Sequence, residues 1–177
     1  MPQSGKNLVI ELLNRHHDRS RFECGVDSLN HYIKKQAGQD AKRRVSRVFV
    51  ATEPDEPNII TGYYTLSSLS TELKTLPASL ARKLPKHPVP AALVGRLAVS
   101  QKRQGQGIGQ MLLVDAIKRT LMVSNEMAIY ALVVDAINSE AERFYEQFGF
   151  IRLNVTNPRL FLPLKKWDAR DTDNLIT

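Results

Sequence analysis

The chain holds a single cysteine, Cys24, in 177 residues. An internal disulfide and a thiolate zinc cage are therefore both excluded. With no histidine tied to it by spacing, Cys24 is expected as a small buried or half-buried filler rather than a nucleophile. No apolar run approaches the ~20 residues that cross a bilayer. The opening stretch "MPQSGKNLVIEL" lacks the charged-then-apolar build of a signal peptide, so a cytoplasmic chain is expected. There is no internal repeat and no low-complexity tract. Negative charge is in the minority: 18 acidic against 25 basic residues leave a net charge of +7. Aliphatic and aromatic residues make up 42%, a globular composition. One α/β (α+β) domain over residues 1–177 is expected.

What is present reads as mixed elements. "NLVIELL" (7–13) and "RVFVAT" (47–52) read as strands, and "EPDEPN" (53–58) as a turn. "IITGYYTLSSLS" (59–70) reads as a longer strand. From Val26, apolar residues recur at Leu29, Ile33, Ala37, Ala41 and Val45. That spacing predicts one helix face, capped by Asp27 or Ser28, with Gly38 as a potential break. A Pro-punctuated stretch (76–90) precedes a strand over 92–99, a turn over 100–107 and a largely apolar helix from about 107 to 123. "AIYALVVDA" (128–136) predicts a buried strand. "NSEAERFYEQFGF" (138–150) predicts a helix with a capping box of Ser139 and Glu142 and a terminating Gly149. "IRLNV" and "RLFLPL" close the chain as strands, with Pro163 marking an edge or a bulge.

The turn "QKRQGQGIGQMLL" (101–113) carries three glycines between a strand and a helix start. Such a turn cradles phosphate, because glycines admit the ligand close to backbone N–H groups at the helix N-terminus. A P-loop would need Lys and Ser or Thr after the last glycine, where Gln110 and Met111 stand. A dinucleotide fold finds a ribose-binding acid in Asp135 but lacks a third glycine in register, and too few residues follow to complete its sheet. The third candidate is coenzyme A.

The segment Gln104-Gly-Gln-Gly107-Ile-Gly109 resembles Gln/Arg-x-x-Gly-x-Gly, the pyrophosphate loop of the GNAT N-acetyltransferase family. "GRLAV" (95–99) resembles that family's splayed fourth strand, and "NSEAERFYEQFGF" its Asn…Ala-x-x-(Phe)Tyr-x-x-x-Gly-Phe helix. The resemblance covers most of the chain, densely over 92–164. It implies a central, mostly antiparallel mixed sheet with flanking helices and splayed fourth and fifth strands. Acetyl-CoA would be the cosubstrate, held by Leu97 and Val99 as an added strand, by Gln104, Gly105, Gln106, Gly107, Ile108, Gly109 and Gln110 at the pyrophosphate, and by Asn138 on the arm. Lys102 and Arg103 suit its further phosphates. Transfer to an amine would be direct. Tyr145 would then give a proton to the departing sulfur, although Ala141, Phe144, Tyr145 and Phe148 equally form an apolar stripe. No metal is expected.

A base to deprotonate the amine does not stand out. Glu140, Glu142 and Glu146 read as a solvated face, and His16, His17, His31 and His87 carry no spacing signal. An α-amine, with a pKa of about 7.7–8.0, needs little help at neutral pH, whereas a lysine amine near ~10.4 needs more. Basic residues cluster in "IKKQAGQDAKRRVSR" (33–47), in "ARKLPKH" (81–87) and at Lys165 and Lys166. Phosphate backbones would use such clusters.

"FECGVDSLNHYIKKQA" (22–37), "GYYTLSS" (62–68), residues 95–119 and "RLFLPLK" (159–165) resemble one branch of the family, the toxins of bacterial toxin–antitoxin pairs. That resemblance implies acetylation of the amino group of aminoacyl-tRNA, a homodimer, and a ribbon-helix-helix antitoxin through which alone operator DNA is met. Lys34, Lys35, Arg43, Arg44, Arg82 and Lys83 are the candidates for tRNA contact. Arg96 is a candidate for the tRNA end, or an ordinary ion pair. Acetylation of a protein or small-molecule amine, and a non-catalytic nucleic-acid-binding module, remain the alternatives.

Overall fold

The computed structural model describes residues 7–71, 78–82, 88–153 and 158–167. They divide into two compact units, one built from the chain up to Leu66 and from Arg96–Ala116, the other from Ser67–Gly95 and the chain from Ile117 onward. Two elements, β3 (Gly62–Thr71) and α4 (Ile108–Ser124), run from one unit into the other.

In the first unit, β1 (Val9–Leu12) pairs antiparallel with β2 (Arg47–Thr52), and β2 pairs with the opening residues of β3. Between β1 and β2 the chain forms α1 (Asp27–His31), a π turn (Tyr32–Gln36) and α2 (Ala37–Arg43) in direct succession. The sequence pattern predicts a break at Gly38; the helix instead widens at the π turn. The wider turn shifts the register, so Tyr32 and Ile33 are buried together, with Ala37 beneath them. Val45, read as the end of the apolar face, lies past the helix and is 59% exposed. Val26 takes the N-cap position, and no side chain caps the helix there, so neither Asp27 nor Ser28 is the cap. The core of this unit gathers Phe22, Tyr32, Ile33, Val48, Val50, Ile60 and Tyr63. Burying each large apolar side chain contributes about 1.5–3 kcal/mol. Cys24 is buried among them, as expected.

The stretch expected as one strand over 92–99 is two strands. β4 (Val89–Val94) pairs with β3 residues 67–71, and β5 (Leu97–Val99) pairs with β3 residues 62–64. Gly95 and Arg96 separate them. Thr65 satisfies the backbone of Arg96 twice: its N–H donates to the Arg96 carbonyl, and its Oγ1 accepts from the Arg96 N–H.

In the second unit the strands run β3-β4-β6-β8-β7, with β6 (Ala131–Asp135), β8 (Arg159–Pro163) and β7 (Ile151–Arg152). The β4–β6 pair is parallel and the others are antiparallel. A parallel pair needs a crossover, and the chain between them includes α4. Leu112, Leu113, Ala116, Ile117 and Leu121 of that helix are buried, as its composition predicts. β8 lies between β6 and β7 and is not an edge; Pro163 is its last residue, beyond the reach of two-residue β7. α3 (Ala78–Ala81) is a short helix in the Pro-punctuated stretch.

Helix α5 (Ser139–Gln147) differs from expectation at its start. Its N-cap is Asn138, whose Oδ1 accepts the Ala141 N–H at 2.8 Å. Ser139 is thus already inside the helix, and Glu142 pairs with Arg152 instead of closing a capping box. The end agrees with expectation. Gly149 has φ +89, its N–H donates to Glu146, and the Phe150 N–H donates to Tyr145. Those two bonds form a Schellman ending.

Candidate active site

The glycine-rich turn lies in the first unit. Gln101–Arg103 make one 3₁₀ turn and Gln104 is extended. Gly105 and Gly107 have φ +76 and +81, and a Cβ at either would meet nothing within 4 Å. Glycine is therefore required by the left-handed backbone and not by crowding. Met111 donates to the Gly107 carbonyl, so α4 begins there. The N–H groups of Ile108 and Gly109 precede any intrahelical partner. An open backbone, a helix N-terminus and exposed glycines together fit a pyrophosphate, so the residues present suit acetyl-CoA at this end.

Side chains of the turn behave differently from one another. Gln106 is exposed and Gln110 half-buried. Lys102 is exposed, whereas Arg103 is bound to Glu53 at 2.5 Å, which neutralises it. Gln104, expected among the cofactor ligands, is exposed and turns its carboxamide back onto the chain: Nε2 donates to the carbonyls of Val99 and Cys24, each at 3.0 Å.

The pairing of β5 decides which of its backbone groups are available. Arg96 O accepts from Thr65 and the Ser100 N–H donates to Thr61, so the even-numbered residues turn their polar groups to β3. Backbone direction alternates along a strand. Leu97 and Val99 therefore turn theirs to the opposite edge, where no strand pairs with β5 among the described residues. An extended chain can add to such an edge as a strand does. The Val99 carbonyl is already taken by Gln104, which leaves its N–H and both groups of Leu97.

Tyr145 lies in the second unit, on α5, and is 4% exposed. Its ring packs against Phe144 and Phe150, with centroids 5.3 Å and 5.7 Å away. Its hydroxyl makes no hydrogen bond to any described residue. Burial, and secondarily the charge of Asp135, push its pKa well above the ordinary phenol value. The group stays protonated at any physiological pH, so it can donate a proton but cannot serve as a base. Asp135 itself binds Arg159 at 2.8 Å, which removes it as the ribose ligand of a dinucleotide site. Asn138 keeps its Nδ2 donor after its Oδ1 caps the helix.

Arg96 makes no ion pair with a described residue. Its guanidinium lies over the Tyr32 ring, 3.8 Å from the centroid, a cation–π contact that orients it. Tyr32 donates to Asp40, and burial first, then that contact, raise its pKa to about 12. Lys34 and Lys35 belong to the π turn, and Arg43 and Arg44 to the end of α2, where Arg44 adopts φ 62. Together with Arg15, Arg19 and Lys42, the two lysines line a concavity of about 530 Å³ that no acid lines. The sequence pattern gives no sign of Arg15 and Arg19, which reach it from the loop after β1. Arg82 is exposed; Lys83 and His87 lie outside the described residues. His17 is buried, with Nε2 3.0 Å from Glu11 and Nδ1 accepting from Asn14. Glu142 and Glu146 pair with Arg152. No described group of three His, Cys, Asp or Glu could hold a metal. The buried Cys24 thiol has its pKa pushed up by that burial, which disfavours the thiolate that an acyl-cysteine route requires.

Fold, loop and open strand edge define an acyl-CoA-binding acetyltransferase, and the chain belongs to the GNAT family: the acetyltransferase (GNAT) domain matches residues 44–152. Its particular relatives are toxins. It is 37% identical to a tRNA-acetylating toxin of Mycobacterium tuberculosis, over 86% of this chain and 89% of that protein. A solved tyrosine-to-phenylalanine mutant of KacT superposes with a TM-score of 0.84 at 30% identity, covering 95% of this chain and 98% of that one. AtaT complexed with acetyl-methionyl-tRNAfMet gives 0.83 at 29% identity, over 97% and 100%. A tyrosine-to-phenylalanine mutant of AtaT, bound to the C-terminus of the antitoxin AtaR and acetyl-CoA, gives 0.77 at 28%, over 96% and 98%.

Proposed function

We propose that this chain is a toxin that moves the acetyl group of acetyl-CoA to the α-amino group of an aminoacyl-tRNA and so halts translation. The observation that carries this reading is the likeness, over 86% of the chain, to a tRNA-acetylating toxin. The acid-free basic concavity beside the π turn supports it, because phosphate contacts supply much of the affinity for nucleic acid. An antitoxin of the ribbon-helix-helix class neutralises the enzyme and alone brings it to operator DNA. The working form is a cytoplasmic homodimer.

Bound acetyl-CoA supplies an activated thioester. The N–H groups at Gly107–Gly109 grip its pyrophosphate, and Leu97 and Val99 align its arm along the free edge of β5. Asn138 adds a donor through Nδ2. Tyr145 holds a proton on its hydroxyl for the departing sulfur. Because an α-amine titrates at about 7.7–8.0, a water path suffices to take its proton, and no dedicated base is required. Arg96, fixed on Tyr32, meets the charged end of the tRNA.

Incubating the protein with labelled acetyl-CoA and a total charged tRNA pool tests this. The label should appear on the aminoacyl group of tRNA. Label on protein N-termini or small amines, with none on tRNA, would overturn the tRNA reading and leave the acetyltransferase.

A further inference from the structure

The turn that grips the pyrophosphate has few apolar anchors of its own, and its fixed shape comes from elsewhere in the first unit. Gln104 Nε2 carries two N–H groups and spends both on backbone carbonyls, Val99 O at the end of β5 and Cys24 O. The segment it reaches is itself tied down. The Cys24 N–H donates to Asn30 Oδ1, and Asn30 Nδ2 donates to Glu23 Oε1, which also accepts the Gly25 N–H. Asn30 lies on α1 and is 6% exposed. Next to these bonds, the Gln101 N–H donates to Glu23 O. Gly25 leaves room for the crossing: a Cβ there would stand 2.7 Å from Gln101 Nε2. A continuous set of bonds thus runs from α1 through residues 23–25 to Gln104 and Val99.

We infer that Gln104 is a positioning residue, and that its carboxamide clips the pyrophosphate turn and the arm-binding edge of β5 to residues 23–25. This rests on the acetyl-CoA reading above. It gives a physical reason for the motif's first position: Gln and Arg, the two residues that the motif allows, both offer several N–H donors on a flexible stem. A carboxylate of equal size offers none and would face two carbonyl oxygens. It also assigns a second role to the clip, because occupying the Val99 carbonyl leaves that residue only its N–H for the ligand.

The test uses the full chain and three variants, Gln104→Leu, Gln104→Glu and Gln104→Arg. Three quantities are read: acetyl-CoA affinity by calorimetry, kcat and KM, and amide hydrogen exchange across 97–107 without ligand. Losing two hydrogen bonds predicts about tenfold weaker binding for Leu, with Glu weaker still. For the Leu variant KM for acetyl-CoA should rise while kcat holds, and exchange over 99–107 should quicken. Arg should restore affinity and protection to within about twofold, as its donors allow. A merely structural glutamine would not give that split or that rescue. Wild-type affinity in the Leu variant, an Arg variant no better than Leu, or a fall in kcat at constant KM would each overturn the inference. Should the wild type fail to bind acetyl-CoA, the cosubstrate reading falls, and the exchange data alone decide: quicker in Leu and restored in Arg upholds the clip, and no difference sinks it.

Discussion

In the proposed mechanism the glycine-rich turn of the first unit and helix α5 of the second serve opposite tasks by opposite means. The turn is exposed, glycine-rich and shaped by hydrogen bonds; what it offers a ligand is backbone. Helix α5 contributes the buried side chain of Tyr145, and burial sets that side chain's chemistry. Gly105 and Gly107 sit in open space at positive φ, whereas Tyr145 sits in a dry, aromatic surround that keeps its proton in place. Binding and proton donation should therefore separate under mutation, and the predictions are ways of forcing that separation.

The largest effect belongs to the buried group. Tyr145→Phe keeps the ring and its packing and removes only the hydroxyl, so acetyl-CoA affinity should stay within about twofold while transfer falls by about 10²-fold or more, the scale of lost proton donation. Growth arrest on expression should vanish with it. Full transfer by the Phe variant would place the proton donor elsewhere. Next comes the turn. Gly107→Val forces a β-branched residue into φ +81, at about 1–3 kcal/mol of strain, and affinity for acetyl-CoA should drop by about tenfold or more. Once saturated, that variant should turn over nearly as fast as wild type, the mirror image of Tyr145→Phe. A variant that binds normally but turns over slowly would erase the contrast between the two regions.

The raised pKa of Tyr145 sharpens the same contrast through pH. A phenol that ionises only well above its ordinary value of about 10 stays a donor across the working range. Transfer should rise as the acceptor amine loses its proton, near or below pH 8, and then hold level to about pH 9.5. A bell with a falling limb near pH 9 would mean that the donor is not this buried phenol. Stability follows with the sign fixed by linkage. The folded state holds the proton more tightly than the unfolded chain, so the contribution of Tyr145 is constant below about pH 10 and is lost as pH climbs through the folded pKa. Lys34→Glu with Lys35→Glu addresses the acceptor side. Transfer to tRNA should fall about tenfold at low salt, by less at high salt, with acetyl-CoA affinity unchanged; equal loss at all salt concentrations would argue against phosphate contacts there.

How much of this was legible beforehand differs between the regions for a physical reason. The turn is local: glycine spacing next to a strand and a helix start announces itself in a dozen residues. The same holds for the end of α5, where Gly149 signals the ending that the structure contains. The clip under the turn joins Cys24 and Gln104, 80 positions apart, and no periodicity records such a bond. The π turn also escapes a pattern built on 3.6 residues, and with it the joint burial of Tyr32 and Ile33. Two caps differ from the pattern: Val26, not Asp27 or Ser28, begins α1, and at α5 Asn138 and Ser139 are both good capping residues that only the backbone separates, with Asn138 extended at φ −158 and taking the cap.

That cap provides the finest test, because the proposed mechanism gives Asn138 two jobs on two atoms. Oδ1 accepts the Ala141 N–H and fixes the start of α5; in the proposed mechanism Nδ2 is the donor offered to the acetyl-CoA arm. Asn138→Asp keeps an acceptor at the cap, one well suited to a helix N-terminus, and abolishes the donor. Asn138→Ala removes both. Thermal and denaturant unfolding should therefore show Asp near wild type and Ala about 1 kcal/mol less stable. Acetyl-CoA affinity should instead fall alike in both, by about threefold to tenfold for one lost hydrogen bond. Wild-type affinity in the Asp variant would reduce Asn138 to a cap and leave the arm to the edge of β5 alone.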